Sequence, residues 1–211
     1  MAEPGFVSAA LAPSAGPLAE RVRHVVAVID GVHRVGSLPR IPIDHRIDVP
    51  GADGQCRFNR RNGQARGIGL SRDAPSPEFV LLHEFGHFID HQALGNRGGF
   101  ASSRHPDLAD WRRVVARTRT YQALVRVKRA RERIGRDVDR VAYLLDYNEL
   151  WSRSYAQYVT VQSQDAMLLL QLAQESTIPR PLRRLVQWDR DDFFPILDAI
   201  DVPFHRKGWR P

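Results

Sequence analysis

The stretch FVLLHEFGHFIDHQAL, residues 79–94, sets histidines and a glutamate inside an otherwise apolar segment. Burying imidazole and carboxylate without partners is costly, so something must hold His83, Glu84 and His87 there. On a helix, His83 and His87 are four residues apart and project from one face, one turn above the other. That spacing lets both imidazoles reach a single ion at about 2.0–2.1 Å. Glu84 lies one residue round from His83, too oblique to share the ion easily but well placed beside it. A divalent ion lowers the pKa of a bound water towards about 7, and a neighbouring carboxylate can then take its proton. The competing account is a buried helix whose histidines bond backbone carbonyls, and three polar groups at ligand spacing strain it. Residues 80–89 carry no charge except Glu84. Gly86 costs the helix roughly 1 kcal/mol relative to alanine, yet allows another segment to come close.

The pattern is H-E-x-x-H, in which two histidines bind zinc and the glutamate acts as general base. The chain has one cysteine, Cys56, so ligands for such an ion must come from His, Asp and Glu. The stretch resembles the catalytic helix of the zincin superfamily. Asp90 and Ala93 stand where the metzincin subfamily carries glycine and histidine, and the G-T-x-x-x-D segment of aspzincins is absent. Gluzincins take a glutamate from a later helix, and DYNELWSRSYAQYV, residues 146–159, offers one. Along its face Glu149 is flanked by Ala142, Leu145, Ser152, Ala156 and Val159, all small or apolar. A carboxylate in the middle of such a stripe needs a positive partner. The alternatives are an exposed Glu149–Arg153 pair, or Asp146 as ligand from a more polar face.

The pairing of the two helices is similar to gluzincin-like peptidase domains of phage head-associated and polymorphic-toxin proteins, and more distantly to the lethal factor type of catalytic domain. The resemblance spans roughly residues 40–160. It implies a zinc metalloendopeptidase with His83, His87 and Glu149 as metal ligands, Zn2+ as cofactor, and Glu84 as catalytic base. It also implies an edge strand that binds an extended peptide, for which GIGLS, residues 67–71, is the candidate. Arg153 stands where the thermolysin pattern has aspartate, and Ala142 where lethal-factor-like domains have tyrosine. For the group that stabilises the oxyanion, Tyr155 is the first choice, with Tyr158, Tyr143 and Arg153 as rivals. Asp90 is either an acceptor that orients a ligand imidazole or a surface aspartate. His91 and His105 read as structural or surface histidines, and Trp151 and the Trp188–Phe194 cluster as core.

These residues need elements to position them. Residues 18–30 have helical spacing, Ile41–Val49 alternate like a strand, and Asn62-Gly63 suggests a two-residue hairpin turn. Ser76-Pro77-Glu78 opens a helix running to about Leu94. Long helices follow over about 107–134 and 137–162, a shorter one starts at Asp165, and the tail is partly helical. The expected fold is α+β and zincin-like, with a small antiparallel sheet and a mainly helical C-terminal half. Residues 1–17 read as a flexible leader, and 18–211 as a single domain.

The net charge is +7, with arginines concentrated between Arg112 and Arg140. A basic helix over 107–134 is either a solvated face or a track for a phosphate backbone. The alternative to a peptidase is therefore a non-catalytic nucleic-acid or virion-associated module. No apolar run approaches the roughly 20 residues of a membrane span, and no secretory signal is evident. The expected location is cytoplasmic, with non-classical export or virion association left open.

Overall fold

The computed structural model describes residues 11–13, 17–33, 38–94, 99–177 and 186–209. It is an α+β fold. Strands β1 (Leu11–Pro13), β2 (Ile41–Asp44), β3 (Gly54–Phe58) and β4 (Ala65–Leu70) form one sheet in the order β1-β2-β4-β3. The sheet is mixed rather than antiparallel as expected. β1 pairs with β2 and β2 with β4 in parallel, and only β3 and β4 run antiparallel. β1 lies within the stretch read as a leader; residues 1–10 and 14–16 of that stretch fall outside the described residues.

The glycines of β4 account for this arrangement. A Cβ on Gly69 would lie 1.9 Å from the Arg46 carbonyl oxygen, and one on Gly67 would lie 2.8 Å from that of Pro42. The chain after Asp44 thus folds down against β4 instead of extending to Val49. Arg57 spans the same surface, with a two-pronged ion pair to Asp44 at 2.9 Å. The hairpin forms, but its loop is longer than the expected two residues. Asn59 N–H donates to the Gln64 carbonyl at 2.8 Å, and Gly63 takes the left-handed backbone that favours glycine (φ 67°).

β4 has a strand on each side. The candidate peptide-binding edge at 67–71 is therefore incorrect, because an interior strand has already spent its backbone groups on two neighbours. Among the described residues, the free edge at this end of the sheet belongs to β3.

The helices are α1 (Pro17–Val32), α2 (Pro77–Ile89), α3 (Ala101–Arg104), α4 (Ala109–Arg117), α5 (Arg119–Arg133), α6 (Asp139–Leu145), α7 (Tyr147–Ser163), α8 (Ala166–Thr177) and α9 (Arg190–Arg206). α2 carries the His-Glu motif and continues through a π-helical turn, Asp90–Leu94. Pro77 occupies its first turn; Ser76 holds the cap position, but its hydroxyl makes no capping bond.

Both long helices expected downstream are broken. Thr118 is extended (φ −64°, ψ 149°) and its hydroxyl oxygen accepts from Tyr121 N–H, so α5 starts afresh. Asp146 is extended likewise (φ −65°, ψ 135°) and starts α7. The main core joins α1, α2, α7 and α9 to the inner face of the sheet, around Phe85, Phe88, Trp151, Tyr155 and Phe204, all completely buried. Trp188 and Phe193 are buried as expected, but Phe194 is half-exposed.

Candidate metal centre

Helices α2 and α7 cross at Gly86. A Cβ there would lie 2.9 Å from Ser152 Cα, so only glycine allows this approach. The Trp151 indole N–H donates to the Gly86 carbonyl at 3.2 Å and ties the crossing. One turn from it on each helix, the polar groups meet. His83 Nε2 is 3.4 Å from Glu149 Oε2, and His87 Nε2 is 3.1 Å from Glu149 Oε1. The two imidazole rings are 4.9 Å apart and nearly perpendicular. One ligand atom from each residue lies within 4.8 Å of the others.

The break at Asp146 places Glu149 in the first turn of α7, where the helix dipole favours negative charge. Burial works against its ionisation, but hydrogen bonds from His83 and His87, with their charges, outweigh it. The carboxyl is held far below the usual carboxylate range. Burial likewise works against charge on His87, and its bond to Glu149 overcomes this and raises its pKa. The exposed pairing of Glu149 with Arg153 does not occur. Arg153 is itself buried; its guanidinium donates to the carbonyls of Glu149, Leu144 and Val186. Burial lowers its pKa to about 10. Asp146, the rival ligand, is exposed at the helix cap.

This donor set could hold a metal ion. Ligand atoms around a tetrahedral ion at about 2.0–2.1 Å lie roughly 3.4 Å from each other. The histidine nitrogens already stand at such distances from the carboxylate oxygens.

Glu84 is buried beside the cluster. Burial raises its pKa, the Glu149 charge adds to this, and the two imidazoles oppose it. The backbone N–H of Cys56 comes near its carboxylate and also opposes the rise. That contact comes from the free edge of β3. Ser71 N–H bonds the Asp53 carbonyl at 2.8 Å, and pairs in an antiparallel ladder alternate. Gln55–Gly69 is thus hydrogen-bonded, whereas Gly54 and Cys56 turn their backbone groups outward. A Cβ on Gly54 would lie 2.9 Å from Glu84 Cγ, so the strand is bare where the Glu84 side chain passes beneath it.

Tyr155 does not reach the centre. Its hydroxyl is buried in the main core at 2.8 Å from His33 Nε2 and its ring packs on Phe85 and Phe204. It lies six residues from Glu149, about 240° round the helix, so it faces the core and not α2's histidines. Tyr158 donates to Asp201 at 2.6 Å. Tyr143, near the end of α6, is the candidate that approaches: the residue is 45% exposed, and burial, then the nearby Glu149 carboxylate, raise the pKa of its hydroxyl.

Asp90 does not orient His87. Its carboxylate accepts from Ser102 N–H at 2.7 Å and from the Ser102 hydroxyl at 2.5 Å, and burial raises its pKa to about 6. His87 Nδ1 has no hydrogen-bond partner among the described residues. His91 stacks on Phe58 at 4.4 Å, a structural role as expected. His105 caps the short turn Pro106–Leu108. No residue type in the sequence marks the Cys56 contact, since a backbone N–H makes it; the only trace is a glycine at position 54.

Compared with protein-family models, with curated proteins and with solved structures, the chain matches none of them.

Proposed function

We propose that this protein is a zinc-dependent metalloendopeptidase of the gluzincin kind, with His83, His87 and Glu149 holding the ion. The observation that carries the reading is the convergence of both histidine Nε2 atoms on one buried carboxylate, with a second carboxylate beside them. When bound, zinc would supply Lewis acidity, acidifying a water and polarising the substrate carbonyl. Glu84 takes a proton from the attacking water and delivers it to the leaving amine. Its raised pKa suits that exchange, because a base nearer neutrality can also give the proton back. The Cys56 N–H faces one side of the carboxylate. The Tyr143 hydroxyl, close enough to Glu149 for that carboxylate to raise its pKa, is the donor for the developing oxyanion. An extended peptide would add to the outward-facing backbone groups of β3, in place of the 67–71 segment.

Metal analysis and one conservative variant test this. The purified protein is expected to hold one zinc, and Glu84→Gln to keep it while peptide hydrolysis falls by about 10²–10⁴-fold. Undiminished hydrolysis by that variant would reject the mechanism.

A further inference from the structure

Helices α5 and α6 stand on a small core of their own, Leu124, Val141 and Leu144, separate from the main one. The inner side of α5 is Thr120 and Leu124, both buried, with Val127 packed against the same core. About half a turn away lies a stripe of Arg126, Arg129 and Arg133, all exposed, with exposed Gln122 one turn before it and exposed Ala130 beside it. Glu132 is the only acid on α5, and it pairs with Lys128 at 2.8 Å on a third side. No acid pairs with the three arginines among the described residues. Like charges three and four residues apart weaken a helix, and among the described residues no ion pair to the three arginines offsets them.

We infer that this stripe docks on the phosphate backbone of double-stranded nucleic acid. The arginines span about 10 Å along the helix axis, a length over which a duplex presents several phosphates. No aromatic residue stands among them, so there is no platform for stacking single-stranded bases. A membrane surface fits less well, because the apolar side of α5 is consumed inside the protein. Only Ile134, 66% exposed, follows the stripe, far less than an interfacial helix inserts. The inference is independent of the metal centre.

The test is fluorescence anisotropy with a labelled 20-base-pair DNA of arbitrary sequence, titrated between 50 and 200 mM salt. Three phosphate contacts contribute a slope of about −2.7 in log K against log salt, a loss of about 40-fold over that range. The variant R126Q/R129Q/R133Q should lose that part of the slope and keep its helical circular dichroism. The control R60Q/R61Q/R72Q removes the same charge from exposed positions elsewhere and should keep the slope. Absence of wild-type binding at 50 mM salt overturns the inference, as do equal slopes for wild type and the stripe variant. An equal loss in the control also overturns it, since binding would then be diffuse. Binding to phosphatidylserine vesicles without binding to DNA overturns it in favour of a membrane.

Discussion

Replacing Gly86 by alanine should loosen the metal centre without touching a ligand. The added Cβ would meet Ser152 Cα at 2.9 Å and Ser152 Cβ and O at 3.3 Å. Ordinary carbon contacts begin at about 3.5 Å, so α2 and α7 must part by roughly 0.6 Å. Overpacking of this kind costs about 1–3 kcal/mol, and the better helix propensity of alanine returns about 1 kcal/mol. The net loss is thus about 1 kcal/mol, or some 2–4 °C in Tm for a domain of this size. The metal effect is the sharper one. Glu149 lies less than one turn from Ser152 on the same helix, and ligand distances tolerate only about ±0.2 Å. Zinc affinity should fall by about 10–100-fold, as when a residue supporting a ligand is lost. Urea melts in chelator give the first quantity, and zinc titration against a competing chelator gives the second. A variant that is more stable than wild type in chelator and binds zinc equally well would refute the reasoning.

Three further predictions concern single side chains. Glu149→Gln should leave the paired imidazoles in place but lose stoichiometric zinc; one zinc per chain in that variant would remove the carboxylate from the ligand set. Tyr155→Phe should cost about 1–2 kcal/mol by stripping His33 of a buried partner, with turnover per folded molecule unchanged; a large drop in kcat at unaltered stability would restore Tyr155 to the site. Asp192 accepts N–H bonds from Arg119 at 3.1 Å and Thr120 at 2.9 Å, and these outweigh the effect of burial and lower its pKa. Its stabilisation is complete above the unfolded-chain value of about 3.9 and drains away as pH falls through the lower folded value. Asp192→Asn should therefore trail wild type by about 1–3 kcal/mol near neutrality, with the gap closing only below about pH 4; a constant gap down to strong acid contradicts this.

Residue spacing made the paired imidazoles legible, and the apolar neighbours of Glu149 pointed to a carboxylate that needed a partner. Both follow from helical periodicity, which is local. The glycines at 67, 69 and 86 announced close backbone approaches, and the structure supplies Pro42, Arg46 and Ser152 as the approaching groups. Strand order was not legible, because it depends on where the chain after Asp44 folds back, and that is a contact between distant segments. The breaks at Thr118 and Asp146 were hidden by helical periodicity continuing across them. Nothing in the sequence separates Tyr155 from Tyr143, since both carry the same phenol. Only the new start of α7 at Asp146 turns one hydroxyl towards Glu149 while the other stays among core rings.

On the proposed function, the approach of the Cys56 N–H to Glu84 would make the outermost strand part of the proton-handling apparatus. On that reading, whatever lies along that strand and the carboxylate that would take the proton from the attacking water lean on one short piece of backbone. A guest that tugs the strand out of line would swing the base with it, so a misaligned peptide would be held but spared. Discrimination among guests would then show in the rate of cleavage more than in the strength of capture.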